Sequence, residues 1–158
     1  MKGLNLSDFF WTERIKEGLN KFDVVGLAGN IRRLPKQTSW IRLDGGKHDS
    51  YTNLSGALSH ESTFPLNQVI PYGPVGKEYK LLDGVLLATQ SDKLIKSGIR
   101  FDENFKFHFY DIDFCRQLEV NNLKMGTISL SISHASGGNF KSEAWKSSAS
   151  QYISKRGE

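Results

Sequence analysis

The sequence predicts a mixed fold, α/β with α+β character, on three observations. A short apolar run rich in valine, "FDVVGLAG", follows directly on a helical periodicity. Farther along, "EYKLLDGVLLATQ" supplies strands on either side of Asp83-Gly84. Two helical stretches, a strand and a last helix come after it, so the order is helix, strand, irregular excursion, strand pair, helix, helix, strand, helix. With 158 residues, 38% of them hydrophobic and 11% aromatic, the chain reads as a single domain, 1–158, able to bury a core.

The first helix is predicted from about Asp8 to Lys21, because Phe10, Ile15 and Leu19 recur at helical spacing with Trp11 alongside. Ser7 is placed to cap it. "FDVVGLAG" then suits a buried strand, and Gly26 and Gly29 let the backbone turn or approach a neighbour closely. Residues 30–76 hold Gly45, Gly46, Gly56, Gly73, Gly76 and every proline of the chain, which marks a loop-rich excursion. Within it "YTNLSGALSH" predicts a strand, while "VIPYGPVG" reads as a turn cluster without regular structure. Ser91 is placed to cap a short helix, "DKLIKSG", that ends at Gly98.

"FHFYDIDFCRQLEVNN" leads into a helix from about Asp111 to Asn121, whose apolar line is Ile112, Cys115 and Leu118, joined by Phe114. "KMGTISLSISH" alternates as one strand with Met125, Ile128, Leu130 and Ile132 on its apolar positions. A polar helix covers Phe140 to Ser154.

Charge and cysteine usage limit the function classes. The 21 basic and 17 acidic residues give a net charge of +4, scattered along the chain and without a docking motif, which argues against nucleic acid. An anionic ligand or a peripheral membrane contact stays open. Cys115 is the lone cysteine, so no disulfide forms within the chain and no thiolate zinc site is possible, which fits a reducing, cytoplasmic setting. "MKGLNLSDFFWTERIKEGL" is too charged for a signal peptide, and no stretch approaches the roughly 18 apolar residues of a membrane span.

If the helix starts near Asp111, that residue and Asp113 share its first turn, where unpaired N–H groups favour ionised carboxylates. Two residues apart means a rotation of roughly 200°, so the two acids point to different sides. They read either as helix caps or as a general base beside stacking aromatics, and local chemistry alone does not choose. His134, at a strand end before "ASGGN", reads as structural or solvent-facing when taken alone, and His48 and His60 lack ligand spacing.

The ordered set "LDGVLLAT", "FDENF", "YDIDFC" and "SISHASGG" resembles the second half of family 2 glycosyltransferases with the GT-A fold. "FDVVGLAGNIRR" and Trp40 are similar to that family's middle region, so the resemblance covers about residues 22–140 and is strongest over 81–138. It implies a partial GT-A-like sheet flanked by helices. It also implies that Asp111 deprotonates the acceptor hydroxyl, while Tyr110 stands where the family often has glutamate.

By the same resemblance Asp113 is structural at the helix start, and His134 helps hold a divalent metal, Mn or Mg. Asp83 and Gly84 border the acceptor, and Trp40, His108 and Tyr110 stack on sugar or bind its hydroxyls. The implied partners are a nucleotide sugar and a glycan acceptor.

The family's nucleotide-binding half and its Asp-X-Asp motif have no counterpart in residues 1–22, and "DID" at 111–113 sits at a helix start instead. The chain therefore reads as the acceptor-side half of an inverting enzyme. The alternative is a non-catalytic glycan-binding or assembly module on the same half-fold. On either reading, strands left without neighbours favour a homo-oligomer.

Overall fold

The computed structural model describes residues 4–43, 46–60, 68–135 and 140–157. Parts of the predicted excursion, at 44–45 and 61–67, and the turn expected after His134, from residue 136 on, lie outside them.

The described elements are β1 (Leu4–Leu6), α1 (Trp11–Leu19), β2 (Val24–Gly26), β3 (Ala28–Asn30), β4 (Leu54–Leu58), β5 (Ile70–Gly73), β6 (Glu78–Tyr79), β7 (Leu81–Leu82), β8 (Leu87–Thr89), α2 (Ser91–Ser97), α3 (Tyr110–Val120), β9 (Met125–Thr127), β10 (Ile132–His134) and α4 (Glu143–Arg156). Helices and strands intermix along the chain, so the class is mixed α/β. The strands form a sheet in the order β6-β9-β2-β8, a second in the order β5-β4-β3-β7, and the pair β1-β10. The first sheet is mixed, since β2 runs parallel to β9 and antiparallel to β8, whereas the second is antiparallel throughout.

"FDVVGLAG", expected as one strand, instead gives two, β2 and β3, which enter different sheets, and every residue from Val24 to Asn30 is buried. A strand covered on both faces needs this continuous apolar character rather than alternation. Gly29 is required by the packing of β3 on β7, because a Cβ there would lie 2.4 Å from the Leu81 carbonyl oxygen. Leu27, Leu81, Leu82, Phe114, Leu118 and Met125 form the centre of the core. Each contributes roughly 1.5–3 kcal/mol by leaving water. α3 lies over β7, with the Leu82 N–H donating to the Cys115 Sγ at 3.2 Å.

Further expectations are corrected. Ser7 does not cap α1: its N–H donates to the Ser131 carbonyl at 3.0 Å and prolongs the β1–β10 pairing, while the Asp8 carboxylate accepts from the Phe10 N–H. Phe10 consequently precedes the helix and is exposed, leaving Ile15 and Leu19 to pack on the core. "VIPYGPVG" contains β5, an edge strand, which is where a sheet tolerates proline because no ladder hydrogen bond is lost. The stretch 125–134 is not one strand, since β9 joins the mixed sheet and β10 turns away to pair with β1. The last helix begins at Glu143 rather than Phe140, because Ser142 caps it by accepting from the Trp145 N–H at 3.2 Å.

α2 runs as expected to Gly98, which takes the left-handed conformation, but Ser91 does not cap it: Ser91 is the first helical residue, Gln90 precedes it, and no side chain caps the start.

Candidate functional site

The loop between β7 and β8 meets the first turn of α3. Asp83 leaves the sheet after its N–H donates to the Ala28 carbonyl at 2.8 Å. Its Oδ1 then accepts from the Val85 N–H at 2.9 Å, a local turn that aspartate favours. Its Oδ2 accepts from the indole Nε1 of Trp40 at 2.5 Å.

Gly84 is held from both sides by α3. Its N–H donates to Asp111 Oδ2 at 3.0 Å, and its carbonyl accepts from the Tyr110 hydroxyl at 2.9 Å. A Cβ on residue 84 would stand 2.3 Å from the Tyr110 hydroxyl oxygen, so glycine is needed there. The other Asp111 oxygen accepts from the Ile112 N–H at 2.9 Å. Phe109, just before the helix, has φ 67°, a region bulky residues avoid and one that clusters at functional sites.

Asp83 and Asp111 are half-buried and receive hydrogen bonds from neutral donors alone. Among the described residues every other aspartate sits in an ion pair. Burial, and then the nearby Asp83 charge, push the Asp111 carboxyl up to about 6. Burial likewise raises Asp83. The helix terminus thus loses to desolvation and like charge, although Asp111 remains mostly ionised at neutral pH. Tyr110 is pushed up to about 12 by burial and by the two carboxylates, so its phenol stays protonated as the donor to Gly84.

Asp113 faces the opposite way. It is fully buried and accepts from Lys155 at 2.9 and 3.0 Å, from Arg156 Nε at 2.7 Å and from Gln117 at 2.9 Å, joining α3 to α4. Trp40 is buried and offers Asp83 its N–H, with the edge of Tyr72 on its ring at 5.0 Å. His108 is half-buried with Phe107 against its ring at 4.8 Å, and burial lowers its pKa. No described hydrogen bond joins it to Asp83 or Asp111.

His134 ends β10, half-buried, with its N–H donating to the Ser59 carbonyl at 2.8 Å. His134 and His60 both lie near enough to Asp83 to offset part of the effect of burial on it. Among the described residues no group of three or more His, Cys, Asp or Glu side chains is arranged to hold a metal ion. The described donor set around His134 therefore does not fit a divalent cation held by protein ligands alone.

Sequence reasoning passed over three residues of this region. His60 Nε2 lies 3.3 Å from the Tyr72 hydroxyl, and Tyr72 in turn packs on Trp40. Neither carries a local signal, because the connection runs through space. Phe101 is about half exposed, stacked on Phe114 at 4.4 Å and edge-on to Tyr110 at 5.9 Å. Its place in "FDENF" was the available hint.

No family model matches the chain, and no curated protein matches it. No helix of the described residues is long and apolar enough to cross a membrane.

Proposed function

We propose that the chain is the acceptor-side part of an inverting sugar transferase that uses a nucleotide sugar, with Asp111 as its base. One observation carries this reading. Asp111 is a half-buried carboxylate without an ion-pair partner, fixed by backbone amides in the first turn of a helix and close enough to Asp83 to feel its charge. A general base needs this combination of held geometry and raised proton affinity.

In the reaction an acceptor hydroxyl gives its proton to Asp111 as its oxygen forms a bond to the anomeric carbon of the donor. The bond from that carbon to the nucleoside diphosphate breaks, and the leaving oxygen keeps the electron pair. Asp83, held by Trp40 and Val85, borders the acceptor and disfavours a second negative charge, which keeps the base eager for a proton. We assign the protein to the cytoplasm, where its buried lone thiol stays reduced.

A second reading is glycan binding without transfer, and the half-exposed ring of Phe101 beside Tyr110 favours it as a stacking surface. Assays with UDP-, GDP- and dTDP-sugars against a panel of glycan acceptors separate the two. Asp111→Asn should cut any transfer by about 10²–10⁴-fold while leaving glycan binding in place. An unchanged rate would remove Asp111 from the mechanism, and glycan binding without turnover in the unaltered chain would favour the second reading.

A further inference from the structure

The first turn of α3 lacks the side-chain cap that normally secures a helix start, and it begins from Phe109 in the left-handed region. Such a conformation costs a bulky residue about 1–2 kcal/mol, so the surroundings must enforce it. α4 supplies the enforcement. Tyr152 stacks on the Phe109 ring at 5.6 Å and Trp145 lies against it at 5.5 Å.

Two residues into the helix, Asp113 is gripped by Arg156, which also donates to the Asp113 carbonyl at 3.3 Å. Lys155 bridges Asp113 and, at 2.7 Å, Asp102 of the preceding loop. The Asp113 N–H closes the turn on the Phe109 carbonyl at 2.9 Å. Asp111 lies between these two anchored residues, so its carboxylate moves only if the turn moves. Its hydrogen bond to Gly84, at 3.0 Å, would be broken by a displacement of about 1 Å.

We propose that α4 is a positioning element for the candidate base: Lys155 and Arg156 on Asp113, with Tyr152 and Trp145 on Phe109, fix the turn so that the Asp111 carboxylate reaches the Gly84 amide. The catalytic meaning of this rests on Asp111 being the base, whereas the positioning itself does not. Residues of α4 act through α3 and are positioning residues.

Amide hydrogen exchange on the full chain tests it. Arg156→Met removes the guanidinium but keeps much of the stem. It should speed exchange at the Gly84 N–H by about tenfold or more while leaving the Val25 N–H, in the central strand β2, unchanged. Arg156→Lys should restore most of the protection. A rise by the same factor at both amides would make α4 a general stabiliser and overturn the proposal, and so would no change at Gly84. Should Arg156→Met fail to fold, Lys155→Met, at a side chain 35% exposed, is read at the same two amides with the same criteria. Failure of the transferase reading looks different: Asp111→Asn would leave transfer untouched while the Gly84 response persisted.

Discussion

Asp113 and Asp111 occupy one turn of α3, yet the first accepts from Lys155 and Arg156 and the second accepts from backbone N–H groups alone. Their sequence setting is nearly the same, each following an apolar or aromatic residue. The roughly 200° between them sends one toward α4 and the other toward the 83–85 loop. A buried carboxylate matched by cations holds structure together, while one held by neutral donors keeps its affinity for a proton. Residue type and position on a helix therefore do not separate a carboxylate locked by cations from one held by neutral donors; the element across from each does.

The largest effect should come from breaking the Asp113 side. Asp113→Asn leaves two cations facing a neutral amide, and because Arg156 is 17% exposed and Lys155 35%, water recovers part of the loss. A destabilisation of about 3 kcal/mol is expected in urea unfolding. A loss below about 1 kcal/mol would reduce the clamp to a surface ion pair and erase the contrast.

Next in size is Gly84→Ala, which forces a methyl against the Tyr110 hydroxyl and carbon atoms within 3 Å. It should cost about 1–3 kcal/mol by thermal or chemical unfolding. Indifference would mean that the loop is not braced on α3 at all.

The smallest effect sharpens the comparison through its sign. The Asp111 carboxyl is raised to about 6 in the folded protein. Its unfolded value is about 3.9, so protonation favours folding. That contribution is fully present below about pH 4 and is lost as pH rises through about 6. Asn does not titrate, so Asp111→Asn should gain on the unaltered protein across this window, by about 1 kcal/mol at pH 7.5 once partial exposure is discounted. Asp102, on the Lys155 side, runs the other way: held at about 2 by the Lys155 hydrogen bond, it supports folding above about pH 4 and ceases to as pH falls through about 2. A flat difference between Asp111→Asn and the parent over pH 4–8 would contradict the raised value.

The extended character of 24–30 and the helix α3 were legible in the sequence, because continuous apolar runs and the 112–115–118 line are local patterns, but the break at Leu27 that sends β2 and β3 into different sheets was not. β5 was hidden by Pro71 and Gly73, whose meaning depends on whether a strand lies at an edge. β9 and β10 were merged because alternation continues across 125–134 even though the chain changes sheets. The site divides the same way. Asp111, Tyr110 and Gly84 were marked by an ordered set of motifs, but the hydrogen bond from Trp40 to Asp83 and the grip of Lys155 and Arg156 on Asp113 join distant segments. No periodicity encodes such contacts.

The mixed sheet also governs how the chain finds its fold. β2 at Val24 pairs in parallel with β9 at Met125, and β1 at Leu4 closes on β10 at His134. Both pairings close loops over most of the sequence, so chain entropy must be surrendered before either ladder begins to compensate. Pairings this distant in sequence slow folding relative to a chain of local contacts. Until β9 docks beside it, β2 keeps one edge of unpaired N–H and C=O groups, open to pairing with another chain.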